Sequence, residues 1–247
     1  NKDKPFFLYC PWTPPHAAYQ IPEDEPAWKM YKDKPWPHDA RVAAAMDTMM
    51  DRHVGEITAL LKKLEIYQNT LMFFTSDNGA AKRFDGIHNS SGVMQGKKRS
   101  LNEGGIRVPM VVRWPGKIKA GRVSSHPWYF PDVMPTFAEI GGVSTKVPKD
   151  IDGISILPTL LDEGEQKLHE YMFWHYGVRA VRSGKWKGIG KGGHLYLYDL
   201  SKDIEEKNDL SSKHPEIAAR MKKYITIGYR EPRSQKDDGK YTGKDKK

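Results

Sequence analysis

Residues 71–79 read Leu71-Met72-Phe73-Phe74-Thr75-Ser76-Asp77-Asn78-Gly79. An apolar run stops on a carboxylate, a carboxamide and a glycine. The run has the length of a buried strand and is too short for an ordinary helix. In open α/β sheets, ligands collect at the carboxyl ends of strands. Asp77 and Asn78 stand where the predicted strand 70–76 ends. Both are hard oxygen donors, the type that suits calcium or magnesium. Gly79 lets the backbone turn sharply behind them. An Asx turn or a helix cap uses the same three residue types, so the tripeptide alone leaves both readings open.

Working outward, residues 5–9 (Pro5-Phe6-Phe7-Leu8-Tyr9) read as a short buried strand, and the proline-rich stretch 11–37 reads as a loop. Asp39 is a candidate cap for a long helix over residues 40–64. Its apolar positions Val42, Met46, Met49, Met50, Val54, Ile57, Leu60, Leu61 and Leu64 recur at three- and four-residue spacing. A glycine-rich polar stretch runs from Gly79 to Gly105. The strand Val108-Pro109-Met110-Val111-Val112-Arg113-Trp114 follows and is stopped by Pro115-Gly116. Residues 132–140 predict a helix ended by Gly141-Gly142. This alternation predicts an α/β fold, a sheet flanked by helices.

After about residue 168 the texture changes. Residues 171–174, 179–183 and 195–200 predict short strands separated by glycine turns, closed by a helix over residues 215–227. They predict a small C-terminal antiparallel β plus helix subdomain. The expected organisation is therefore an α/β domain over 1–167, the subdomain over 168–229, and a basic polar tail over 230–247.

The 247 residues are 38% hydrophobic, enough to bury a core and unlike a disordered chain. No window approaches about eighteen consecutive apolar residues, so no membrane span is expected. The single cysteine, Cys10, excludes an internal disulfide and a cysteine-rich zinc site. The net charge of +9 favours acidic partners, although part of the excess sits in the tail.

Further motifs narrow the chemistry. Asn89-Ser90-Ser91-Gly92-Val93-Met94-Gln95-Gly96-Lys97-Lys98-Arg99-Ser100-Leu101-Asn102-Glu103-Gly104-Gly105-Ile106-Arg107-Val108-Pro109 runs on to Trp114-Pro115-Gly116. Pro14-Pro15-His16 follows the first predicted strand. Leu197-Tyr198-Asp199-Leu200 precedes Glu205-Glu206-Lys207-Asn208-Asp209-Leu210. In this order, and with Thr75-Ser76-Asp77-Asn78-Gly79, the motifs closely resemble the type I, formylglycine-dependent sulfatases of the alkaline phosphatase superfamily.

The resemblance implies an alkaline phosphatase-like sheet and a divalent metal, calcium with magnesium as the alternative. It also implies a formylglycine made from a cysteine or serine. By that likeness Asp77 and Asn78 are metal ligands. Lys98, five residues before the glutamate of Glu103-Gly104-Gly105, contacts the sulfate and the ester oxygen. His16 hydrogen-bonds the sulfate near the leaving oxygen. His88, in the loop between the metal motif and Lys98, is a candidate to face substrate. The residue types suit the reaction. Negative charge builds on the bridging oxygen as a sulfate ester breaks, and a fixed cation and a proton donor stabilise it. A sulfated small molecule or carbohydrate is the expected substrate, with no nucleic-acid partner. The expected compartment is periplasmic, extracellular or lysosomal.

The chain departs from the family at the nucleophile. The motif is Cys or Ser, any residue, Pro or Ala, any residue, Arg. Cys10-Pro11-Trp12-Thr13-Pro14 fails at its third and fifth positions, and no serine starts such a pentapeptide. The family's early Asp-Asp metal pair is also missing from the sequence. Two ligands fall short of the about six to eight oxygens that calcium takes. The expectation is a C-terminal portion whose nucleophile, remaining ligands and partner surface come from an N-terminal half of the same protein. Cys10 then reads as a small buried residue. Two rivals stay open: a phosphodiester or phosphonate ester hydrolase of the same superfamily, and a non-catalytic basic module that binds sulfated polysaccharide.

Overall fold

The computed structural model describes residues 3–231; the expected basic tail lies outside the described residues except for Arg230 and Glu231. The described residues divide into two compact units, 3–73 with 83–89 and 112–120, and 74–82 with 90–111 and 121–231. Helices and strands are mixed, as expected of an α/β fold.

In the first unit, helix α1 (Pro26–Tyr31) packs on helix α2 (His38–Lys63). Helix α1 starts because Glu25 accepts a hydrogen bond from Ala27 N–H and Pro26 takes the first helical position, where a missing N–H costs nothing. Arg52 of α2 holds the same glutamate at 2.8 Å. Asp39 does not cap α2. Pro37 precedes the helix, and Asp39 sits in the first turn, where its charge suits the positive helix end and pairs with Arg83 at 2.7 Å.

The buried positions of α2 are Ala40, Val42, Ala43, Ala45, Met46 and Leu61. The N-terminal half is therefore sealed through alanines, whose small side chains let another helix approach closely. Leu60 and Leu64, two of the recurring apolar positions, are exposed. Residues 5–9 are not a strand, and Phe6, Phe7, Leu8 and Tyr9 are exposed, as is Cys10. A strand exists only against a partner ladder, and β-propensity supplies none.

Strands β1 (Met72–Thr75) and β2 (Met110–Arg113) pair as a two-stranded sheet. In the second unit a short helix α3 (Glu103–Ile106) leads toward β2. Helix α4 (Val133–Ile140) ends at Gly141, followed by Gly142 at φ +68°, and helix α5 is Leu157–Leu161.

The C-terminal part is an antiparallel sheet in the order β3 (Met172–Tyr176), β4 (Val178–Ser183), β5 (Trp186–Lys191), β6 (His194–Asp199), with helix α6 (Pro215–Ile227) against it. Alternation along the strands gives the sheet two buried faces. Val181, Leu195 and Leu197 pack on Ala218, Met221 and Tyr224 of α6. Ala180, Ile189, Tyr198 and Leu200 pack on Leu101, with Ile106 beside them. The second face thus carries the loop that bears Lys98. Strand β5 has no counterpart among the strands expected from sequence, because Gly188 and Gly190 lower strand propensity. Gly188 is there for α6: a Cβ would lie 2.8 Å from Met221 Cβ.

The outer edge of β6 is closed by residues 209 and 210. Asp209 Oδ1 accepts Leu197 N–H at 3.0 Å, and Leu210 N–H donates to Leu197 O at 2.8 Å. Burial alone raises the Asp209 carboxyl. Hydrogen bonds from His194, Leu197 N–H and Ser211 outweigh it and bring the group down to about 2. A depressed carboxylate contributes stability above its ordinary value of 3.8, lost as pH falls toward its folded value. Asp209→Asn therefore removes part of the loss of stability between about pH 4 and pH 2, read by urea unfolding at stepped pH. Among the described residues no helix is long and apolar enough to cross a membrane.

Candidate functional site

Strand β1 delivers the first candidate ligands. Thr75, its last residue, donates its hydroxyl to Pro109 O at 3.0 Å, and Ser76 Oγ donates to Asn78 O at 3.1 Å. These bonds carry the chain out of the strand with Asp77 exposed and Asn78 half-buried. Neither side chain has a hydrogen bond or ion pair among the described residues. Their oxygens are free to meet a ligand.

Gly79 is needed for a different reason from the sharp turn inferred above. Its φ is not in the left-handed region. A Cβ there would lie 2.1 Å from Gly104 O. The close approach is cemented by Gly79 N–H donating to Gly105 O at 2.9 Å. One residue on, Ala80 O accepts Lys98 N–H at 2.8 Å. The segment carrying Asp77 and Asn78 is thus laced by backbone bonds to the loop carrying Lys98.

That loop closes on itself. Gly104 N–H donates to Gln95 O at 2.7 Å, and a Cβ on Gly104 would lie 2.5 Å from the same oxygen. A Cβ on Gly105 would lie 2.2 Å from Ser100 O. Between them, Ser100 N–H donates to Lys97 O at 2.8 Å and Lys97 N–H to Ser100 Oγ at 3.1 Å. The tight turn leaves Lys97 exposed and Lys98 half-buried. Lys98 Nζ has no carboxylate partner among the described residues.

The two candidate histidines lie in the other unit. His16 is exposed, and its Nδ1 donates to Ala17 O at 2.7 Å, which leaves Nε2 outward. His88 sits edge-on to Trp36, with ring centroids 5.4 Å apart, and against Phe84. Its Nε2 is buried without a partner.

Beneath the Lys98 loop lies a group that sequence reasoning missed. Lys187 of β5 is fully buried, with its Nζ 2.8 Å from Glu103 Oε1 and 3.0 Å from Glu206 Oε1. Glu206 Oε2 accepts Glu103 N–H at 2.7 Å. Burial raises the Glu206 carboxyl, opposed by Lys187 and by the bond from Glu103. The sequence signal is a lysine set among Trp186, Gly188 and Ile189.

The donor chemistry of Asp77 and Asn78 fits a hard divalent cation, as two of its ligands. Among the described residues no group of three or more His, Cys, Asp or Glu side chains is arranged to hold a metal, so the two do not make a complete site.

Comparison with known proteins bears on what the lysine and the acid-amide pair serve. Residues 1–143 match the model of the sulfatase family, and residues 95–229 match the C-terminal model of N-sulphoglucosamine sulphohydrolase. Steryl-sulfatase of Mus musculus is 32% identical over 193 residues, covering 75% of this chain and 29% of that protein. N-acetylgalactosamine-6-O-sulfatase of Bacteroides thetaiotaomicron is 28% identical over 255 residues, covering 91% of this chain and 47% of that protein. A solved structure of Ps i-CgsB in complex with k-i-k-neocarrahexaose superposes with a TM-score of 0.75 at 30% identity, over 87% of this chain and 48% of that one. The chain spans less than half the length of each of these relatives.

Proposed function

The chain belongs to the sulfatase family, with its alkaline phosphatase-like α/β fold, and from that premise we propose that the protein containing it hydrolyses sulfate esters, most naturally those of a carbohydrate. The observation that carries this is the lacing of two segments by Gly79 N–H to Gly105 O and Lys98 N–H to Ala80 O. It supports Lys98 and the Asp77–Asn78 pair acting on one substrate group. The relative named N-acetylgalactosamine-6-O-sulfatase and the structure in complex with k-i-k-neocarrahexaose favour a sugar sulfate.

In this reading Lys98 places its ammonium against the bridging oxygen, where negative charge grows as the S–O bond breaks. Its backbone is fixed beforehand, so little reorganisation opposes the reaction. His16 donates a proton or hydrogen bond to the same leaving oxygen. His88, in the loop after the metal motif, is the weaker candidate for substrate contact, since its Nε2 is buried and its ring lies against Trp36 and Phe84. Asp77 and Asn78 supply two oxygen ligands to calcium, or to magnesium. A bound cation would supply positive charge to the site, and a formylglycine would supply the nucleophilic oxygen. Action in the periplasm, outside the cell or in the lysosome accords with the family.

The test is turnover by the full-length protein of an aryl sulfate, a sulfated oligosaccharide and an aryl phosphodiester, with and without a chelator. Sulfate cleavage lost to the chelator is the expected result. Preferential phosphodiester cleavage returns the assignment to the superfamily rival. The 247-residue chain alone is expected to show no turnover of any sulfate ester, since its sequence carries no formylglycine motif and the two candidate ligands fall short of the oxygens that calcium takes. Release of product above the uncatalysed rate by that purified chain contradicts this.

A further inference from the structure

We propose that Lys187, Glu103 and Glu206 form a buried ionic brace whose task is to position Lys98; the inference rests on the catalytic role of Lys98 proposed above. None of the three touches solvent appreciably: their side chains are 0%, 3% and 0% exposed in the ion pairs they make. They therefore do not meet substrate, and are positioning residues.

Buried ion pairs seldom add net stability, because removing charges from water offsets their attraction. An apolar cluster of the same volume would hold a fold as well. What charges supply, and apolar groups do not, is direction and register. Here the direction is readable. Glu206 grips both ends of the Lys98 loop. Its backbone carbonyl accepts Gln95 Nε2 at 3.1 Å, and its carboxylate accepts Glu103 N–H at 2.7 Å. Lys98 lies between those two anchor points. Lys187 then ties both carboxylates to β5, the strand beneath. Arg107 reaches Glu103 Oε2 at 3.4 Å from the far end of α3.

From Glu103 the constraint passes on through backbone contacts alone. Gly104 bonds to Gln95 and Gly105 to Gly79, while Lys98 N–H bonds to Ala80 O. The glycines leave no slack, since a Cβ on any of Gly79, Gly104 or Gly105 would overlap backbone oxygen. A loop so tightly laced moves as one piece, and the brace sets where that piece sits. A displacement of about 1 Å at a catalytic group costs about a hundredfold in rate.

The experiment uses the full-length protein. Lys187→Met removes the cation at similar volume, and Glu206→Gln keeps an oxygen for Glu103 N–H while removing charge. Three readouts are taken: kcat and KM for an aryl sulfate, hydrogen exchange of peptides covering residues 76–82 and 95–107, and exchange across α2 as reference. Lys187→Met is expected to lower kcat about a hundredfold, with KM changed less than about threefold. Exchange should quicken in the two loop segments and stay unchanged in α2. In a Lys98→Ala background, adding Lys187→Met should cost less than about threefold more, because both changes act through one group. Wild-type kcat in Lys187→Met, faster exchange everywhere alike, or losses that multiply in the double variant each overturn the brace. Should Lys187→Met not fold, Glu206→Gln carries the same comparisons with a smaller loss of about tenfold. A wild-type protein that cleaves no sulfate ester overturns the proposed function instead, and the exchange experiment then still decides the brace.

Discussion

Lys98→Ala in the full-length enzyme is expected to slow sulfate ester cleavage by two or more orders of magnitude, while Lys97→Ala changes it less than about threefold. Loss of one preorganised contact to a developing oxyanion costs about 3–4 kcal/mol. The turn at residues 97–100 separates the two lysines: Lys97 is exposed and Lys98 half-buried. Both variants should melt like the wild type, because neither ammonium pairs with a carboxylate among the described residues. Steady-state kinetics on an aryl sulfate and an aryl phosphodiester make the check. A larger loss on the sulfate supports the assignment, equal losses remove this residue's support for it, and a larger effect at Lys97 shows the register to be wrong by one.

Gly79→Ala should be comparably damaging by an entirely steric route. The new Cβ would meet Gly104 O at 2.1 Å and Gly104 C at 2.8 Å, atoms of a backbone pinned on both sides. Overpacking costs about 1–3 kcal/mol when neighbours can shift, and more when they cannot. The strip bearing Asp77 and Asn78 must then part from the Lys98 loop. The expected result is a kcat at least about a hundredfold lower and a clear drop in unfolding midpoint. Gly55→Ala is the control: it lies within α2 with nothing within 4 Å of the added carbon. It should leave kcat unchanged and stabilise the protein by up to about 1 kcal/mol, as alanine does over glycine in a helix. Wild-type kinetics in Gly79→Ala would mean that the lacing is dispensable.

These two expectations also mark where the sequence was legible. Asp77, Asn78 and Lys98 became candidates through the order of the motifs around them, since an acid, an amide and a lysine alone suit turns and exposed surface equally well. The glycines announce only freedom, and Gly79 proved to need room rather than an unusual φ. Lys187 resembles any strand lysine until Glu103, distant in sequence, is seen 2.8 Å away. Strands β3, β4 and β6 and helix α6 were legible because their apolar residues alternate or recur at helical spacing. Strand β5 was not, since its glycines serve the helix above it. Residues 5–9 failed in the opposite sense, having strand composition and no ladder. A pattern of side chains records which face a segment could bury and is silent on whether another segment lies there.

The closed edge of β6 bears on how this protein behaves in a crowded solution. An edge strand with free amides and carbonyls is a template on which a second molecule can add its own strand, and so begin an aggregate. Leu197 would offer the central pair of such groups, but Asp209 and Leu210 have already taken them. A newcomer would first have to peel that segment away, and with it the aspartate that His194 and Ser211 hold in place. The same few residues that finish the sheet at β6 therefore also take that stretch of edge away from a second copy.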